Sequence, residues 1–154
     1  MEPEFNYQSA PYGFAHCFNG QCACADKCLR HLLAAHIPSD RKYVTVVNPN
    51  NVVSDGKSCP FFKEKRLVRF AVGMIHLYDN LTYRDATIVK RPIYNHFGRS
   101  TYYRIRNRER LITPEEQIFI KNVFRKHGIT SEPVFDEYKE DYDWEEHIVI
   151  FSCL

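Results

Sequence analysis

Apolar positions along this chain form short runs whose period switches between helical and extended. Between Asp26 and His36, Leu29, Leu32 and Leu33 share a face with Cys28, which predicts a short helix stopped by Pro38. Tyr43–Val47 is rich in β-branched residues and predicts a strand ended by Asn48-Pro49-Asn50-Asn51. Val52-Val53 predicts a second, very short strand before the turn Ser54-Asp55-Gly56-Lys57. From Arg66 to Tyr78, Leu67, Phe70, Ala71, Met74 and Leu77 recur at helical spacing, so a helix is expected there. Thr82, with Asp85 three residues on, is close to a capping box for the next helix. That helix should stop or kink near Arg91, because Pro92 has no backbone N–H to give it.

Thr113-Pro114-Glu115-Glu116 is the clearest start signal in the chain. Thr113 fits the N-cap, Pro114 the first turn and Glu116 the reciprocal acceptor. The helix then runs through Ile120, Val123 and Phe124, with Gly128 after His127 as its C-terminal cap. Val134-Phe135 and His147-Ile148-Val149-Ile150-Phe151 predict late strands, and residues 1–15 should run extended over the surface. The fold class expected is α+β, in three stretches. Residues 1–62 form a Cys-rich, metal-stapled lobe, 63–131 a basic helical segment, and 132–154 an acidic C-terminal tail with a terminal strand.

Composition narrows the class. With 154 residues, 44% of them hydrophobic and 14% aromatic, the chain can bury an ordinary core. No segment approaches the ~20 apolar residues of a membrane span, and the acidic start Met1-Glu2-Pro3-Glu4-Phe5 lacks the basic and apolar parts of a signal peptide. A cytoplasmic protein with no membrane partner is therefore expected. The net charge of +2 hides a division: Glu132–His147 holds eight acids against Lys139, whereas residues 1–131 hold 20 bases against 11 acids. A basic body suits a polyanion, and the acidic tail suits a competitor for that polyanion or a contact for a protein partner.

Five of the six cysteines lie in the first 59 residues, spaced Cys17-x4-Cys22-x-Cys24-x3-Cys28 and then Cys59. In a reducing compartment such crowding points to metal rather than to structural disulfides. Four thiolates hold zinc tetrahedrally, and equally an iron–sulfur cluster, so zinc is the cofactor expected and iron–sulfur the alternative. The ligands expected are Cys17, Cys22, Cys28 and Cys59, with Cys24 the spare and His16 and His31 as substitutes. Four sulfur donors leave no open position, so the site would be structural. The plainer alternative is a set of buried, reduced thiols. Cys153 is a bystander.

Residues 84–110 hold eight bases against Asp85 and Glu109, and their centre, Pro92–Arg108, interleaves arginines with tyrosines. This predicts a short helix opened by Pro92, a tight turn at Gly98 and a second helix capped by Ser100, the order of a helix-turn-helix. Arg99-Ser100-Thr101-Tyr102-Tyr103-Arg104 resembles the recognition-helix start of insertion-sequence transposases, over about ten residues; nothing resembles their acidic catalytic domain. The resemblance implies that Ser100, Thr101 and Tyr103 face phosphates or base edges, with Arg99, Arg104, Arg106 and Arg108 along the backbone. Arginine serves both tasks, gripping phosphate and pairing bidentately with guanine. RNA is the alternative to DNA, because exposed tyrosines beside arginines also suit base stacking. A solvated basic helix whose arginines pair with the acidic tail is the bland alternative.

Over most of its length the chain also resembles a family of small proteins from gut Bacteroidetes known only as a domain of unknown function. The stretches that carry this are His16-Cys17, Cys28-Leu29-Arg30-His31, Cys59-Pro60, His96-Phe97-Gly98-Arg99, Thr101-Tyr102-Tyr103-Arg104 and Thr113-Pro114-Glu115-Glu116-Gln117. The resemblance implies no activity, and it implies that Cys24 is the spare thiol.

There is no nucleotide-binding glycine loop, no nucleophile elbow and no His-Glu-x-x-His, and the seven histidines are scattered. The expectation is therefore a non-enzyme: a nucleic-acid-binding protein, DNA-binding and regulatory in transcription, with a structural metal. Two other readings stand beside it. One is an interaction module docking on ribosome or RNA polymerase through the acidic tail and aromatic N-terminus, and the other is an iron–sulfur redox or sensing protein.

Overall fold

A computed structural model describes residues 4–55 and 59–145. Within them the fold is α+β, with three α-helices and one two-stranded sheet. They fall into two compact units, one of residues up to Leu67 together with those from Tyr142 onward, the other Val68–Asp141.

In the first unit, helix α1 spans Leu29–Ala35 after a 3-10 turn at Ala25–Lys27. The helix expected from Asp26 thus begins three residues later, with Cys28 extended at its N-cap. An antiparallel bridge explains the delay: Leu29 donates to Lys63 O at 2.7 Å and Lys65 to Lys27 O at 2.8 Å, holding Cys28 opposite Glu64. The face predicted to be apolar does go inward, and Leu29 and Leu33 pack with Phe14 and Tyr142 as the core of this unit. Neither strand expected at Tyr43–Val47 or Val52-Val53 forms. Val46 makes a single parallel bridge with His16, and Pro49–Asn51 is a 3-10 turn capped by the Asn48 side chain. Without a second partner strand, β-branched content alone does not make a ladder.

Asp143 closes the same unit. Its buried carboxylate accepts from Arg66 Nη2 at 2.6 Å and from the Glu145 N–H at 3.3 Å, with Lys63 Nζ 3.5 Å away. Burial pushes this carboxyl upward, but the Arg66 hydrogen bond and the charges of Lys63 and Arg66 outweigh burial and hold it below its ordinary 3.8. A depressed carboxyl lends stability above its unfolded pKa, and that support is lost as pH falls through the folded value. Thermal melts should therefore show the wild type losing stability below about pH 4. Asp143→Asn should be less stable at neutral pH and flatter on acidification; equal acid slopes for the two proteins would count against this account.

The second unit holds strand β1 (Leu67–Val72), helix α2 (Tyr83–Arg106), helix α3 (Pro114–Lys126) and strand β2 (Glu137–Tyr142). Leu67 and Tyr142, the outer ends of the strands, belong to the core of the first unit. The helix expected over Arg66–Tyr78 is instead β1 followed by turns. Ala71 exchanges both backbone hydrogen bonds with Ile112 (3.0 and 2.9 Å), and Gly73 at φ +72° ends the strand. The helical spacing of Leu67, Phe70 and Ala71 is overridden by pairing with β2, which β-branched Val68 and Val72 favour. The strand expected at Val134-Phe135 falls instead at Glu137–Tyr142, while Phe135 packs into the core. Three of the eight acids of that stretch, Glu137, Glu140 and Asp141, thus lie on a paired strand. Gly56-Lys57, the strand expected at His147–Phe151 and Cys153 lie outside the described residues.

The Thr82 cap forms as expected, its Oγ1 accepting from the Asp85 N–H at 3.1 Å and donating to the Asp85 carboxylate at 2.9 Å. Contrary to expectation, α2 neither stops nor opens at Pro92 but runs through it; the interruption comes at Gly98, with φ 73° and ψ 163°. Thr113 and Glu116 make both halves of the capping box of α3. Its end is a reciprocal pair of bonds, Gly128 N–H to Arg125 O and Ile129 N–H to Phe124 O, both 3.0 Å. Both helices bury their apolar faces, Val89, Ile93, Tyr102 and Ile105 from α2 and Ile120, Val123 and Phe124 from α3, in one core with Met74 and Ile112.

Candidate functional site

The thiols come from three separate stretches. Cys17 follows the bridged residue His16, Cys22 and Cys28 flank the 3-10 turn before α1, and Cys59 precedes the segment that pairs with Cys28. All four are free, and all four line one small apolar cavity of about 20 Å³. Burial raises the Cys17 thiol, and the neighbouring sulfurs of Cys28, Cys59 and Cys22 raise it further, against the opposing hydrogen bond from the Asn19 backbone N–H. Cys24 lines the same cavity but is buried and disulfide-bonded. Among the described residues, no three His, Cys, Asp or Glu side chains stand in the geometry of a metal-ligand group.

The two substitute histidines part company. His16 is buried with both ring nitrogens taken, Nδ1 on Thr45 O at 2.9 Å and Nε2 on the Tyr7 hydroxyl at 2.8 Å. A carbonyl only accepts, so in the neutral ring Nδ1 carries the proton and Tyr7 donates to Nε2. His16 is therefore a strut between two loops and not a ligand. His31, by contrast, lines the thiol cavity, and its Nδ1 is buried with no hydrogen-bond partner. An orphaned buried nitrogen beside four sulfurs has the donor chemistry of a metal shell.

Sequence reasoning missed Arg30. It is buried in α1, donates from Nε to Phe61 O at 2.8 Å and from Nη1 to Ala15 O at 3.1 Å, and lies 4.5 Å over the Phe14 ring. One guanidinium thus fixes the segments bearing Cys17 and Cys59 to the helix that follows Cys28. It also places a positive charge on the cavity wall. The available signal was a lone arginine among the leucines of α1, two residues after Cys28.

The basic stretch beyond Gly98 is amphipathic. Tyr102 and Ile105 are buried, Thr101 is half-buried, and Arg99, Ser100, Tyr103, Arg104 and Arg106 are exposed. Arg99, Tyr103 and Arg106 share one face at helical spacing. Arg108, at φ 64°, is engaged within the unit, its Nη1 2.9 Å from Glu137 and its Nε 3.6 Å from Asp136.

A family model described as "Family of unknown function (DUF6078)" matches residues 1–144, a span that takes in the four free thiols and the basic stretch beyond Gly98. No curated protein and no solved structure matches the chain.

Proposed function

The chain belongs to this family of unknown function, and we propose from its own residues that it is a nucleic-acid-binding protein with a structural metal. Its target is duplex DNA and its role regulatory. The metal is zinc on Cys17, Cys22, Cys28 and Cys59, with His31 the reserve donor. Convergence of four free thiols from three stretches on one cavity supports that site, as does the buried guanidinium of Arg30, since zinc on four thiolates carries two net negative charges.

One observation carries the binding reading: beyond Gly98 the chain turns Tyr102 and Ile105 inward and leaves Arg99, Tyr103, Arg104 and Arg106 outward. The break at Gly98 between two helical stretches is the turn of a helix-turn-helix-like element, in which the second stretch faces the groove. Ser100 and Thr101 sit at its start, where hydroxyls reach phosphates, and the arginines neutralise the backbone. Arg108 lies at the edge of this face, tied to Glu137.

Arg104→Glu with Arg106→Glu should abolish duplex binding and leave the melting temperature unchanged, since both side chains are exposed. In the wild type, affinity should fall steeply with salt, by a slope of roughly 0.9 per phosphate contacted. Unchanged affinity and an unchanged salt slope in the double variant would sink the proposal.

A further inference from the structure

A cavity of about 680 Å³ lies in the first unit, lined by none of the thiols. Its walls bring together Tyr7, Tyr12 and Tyr43 with Asp40, Arg41 and Lys42. Two of the tyrosines are almost fully in solvent, Tyr12 at 95% and Tyr43 at 88% exposure. Arg41 lies 5.7 Å over the Tyr7 ring, and neither Arg41 nor Lys42 makes an ion pair among the described residues. The cavity floor is firm: Tyr7 is hydrogen-bonded to the buried His16, which is bonded in turn to Thr45. Aromatic faces and unpaired cations therefore meet on a fixed base.

We propose that this cavity binds a short stretch of single-stranded nucleic acid. Bases have two apolar faces and stack on tyrosine rings whatever their identity, while the phosphates between them need cations at intervals of a few ångströms. Tyr12 and Tyr43 are the stacking faces and Arg41 and Lys42 the phosphate contacts. Asp40 accepts a hydrogen bond from the exocyclic amine of a base, so bases that carry one should bind tighter than thymine or uracil. Two cations against one carboxylate favour a polyanion over the other ligand that tyrosine-lined grooves take, a proline-rich peptide. This site is independent of the arginines of α2, and the test separates the two.

The test uses the full chain and fluorescently labelled eight-nucleotide single strands of mixed sequence, with anisotropy read at two salt concentrations. A labelled proline-rich peptide and a DNA duplex serve as comparison probes. Tyr12→Ala and Tyr43→Ala should each weaken the single strand by roughly tenfold, the usual size of one lost stacking contact. Lys42→Glu should weaken it further and lower the salt slope. All three residues are exposed, so circular-dichroism melts should stay at the wild-type temperature. Arg104→Glu with Arg106→Glu should leave single-strand affinity unchanged, and Tyr12→Ala should leave duplex affinity unchanged. Single-strand affinity that survives both tyrosine variants would overturn the assignment, and so would a wild type that binds no single strand. Binding of the proline-rich peptide in preference to the single strand would reassign the groove.

Discussion

Gly73→Ala should destabilise the protein by about 4 kcal/mol or more, enough to remove most of a typical domain's stability. Gly73 sits at φ +72°, where an alanine costs roughly 1–2 kcal/mol. A Cβ built there would stand 2.2 Å from Asp136 Oδ2 and 3.1 Å from Arg108 Cγ. The carboxylate cannot step aside cheaply. Its side chain is wholly buried, and it accepts the backbone N–H groups of Ile75 at 3.2 Å and His76 at 3.0 Å. Each charge-assisted bond is worth roughly 1.5–3 kcal/mol, and displacing Asp136 breaks both. Urea unfolding of Gly73→Ala measures the loss. Asp136→Ala supplies the control, because in its background the alanine should cost only the backbone conformation and a small shift of Arg108. Equal costs in both backgrounds would show that the clash does not matter.

Loss of the proposed metal should be the second large effect. Structural zinc contributes roughly 10–16 kcal/mol of apparent binding energy at neutral pH, and where the apo site does not hold itself together that energy is folding energy. Cys28→Ser should therefore lower bound zinc to well under one per chain and drop the melting temperature by about 15 °C or more, taking 4–8 °C per kcal/mol for a small domain. A chelator should bring the wild type to the same point, and added zinc should restore it. A brown protein with visible absorbance, losing colour in air, would instead identify an iron–sulfur cluster. Metal-free wild type melting at an unchanged temperature would falsify the staple.

What could be read from the sequence was local. Thr82, Thr113 and Glu116 sit beside the groups they cap, and Gly128 closes α3 through bonds that span five residues, so short-range chemistry was enough. The break at Gly98 was legible for the same reason. What was missed depended on partners far along the chain. Strand β1 exists because it pairs with β2, far along the chain, and Cys28 is held extended because Leu29 meets Lys63. Pro92 was misread because the expected helix was short; in a helical stretch that runs unbroken from Tyr83 to the interruption at Gly98, the surrounding turns carry one lost hydrogen bond. At the thiols, spacing indicated that four cysteines belong together, but neither the role of Arg30 nor the partnering of His16 has a local signature.

The first unit is discontinuous, with Leu67 and Tyr142 in one core and the whole of the second unit threaded between them. On a ribosome adding about 5–20 residues per second, those two residues are synthesised roughly 4–15 s apart. The second unit is complete by Asp141 and can collapse on its own core while the first still lacks Tyr142 and Asp143. The N-terminal half must therefore wait, thiols accessible, until the C-terminal residues arrive. Chain termination just after Asp141 would release a product that has the whole of the second unit but lacks the Tyr142 and Asp143 that complete the first. The abundance of the finished protein should then depend on translation speed through the stretch from Val68 to Asp141.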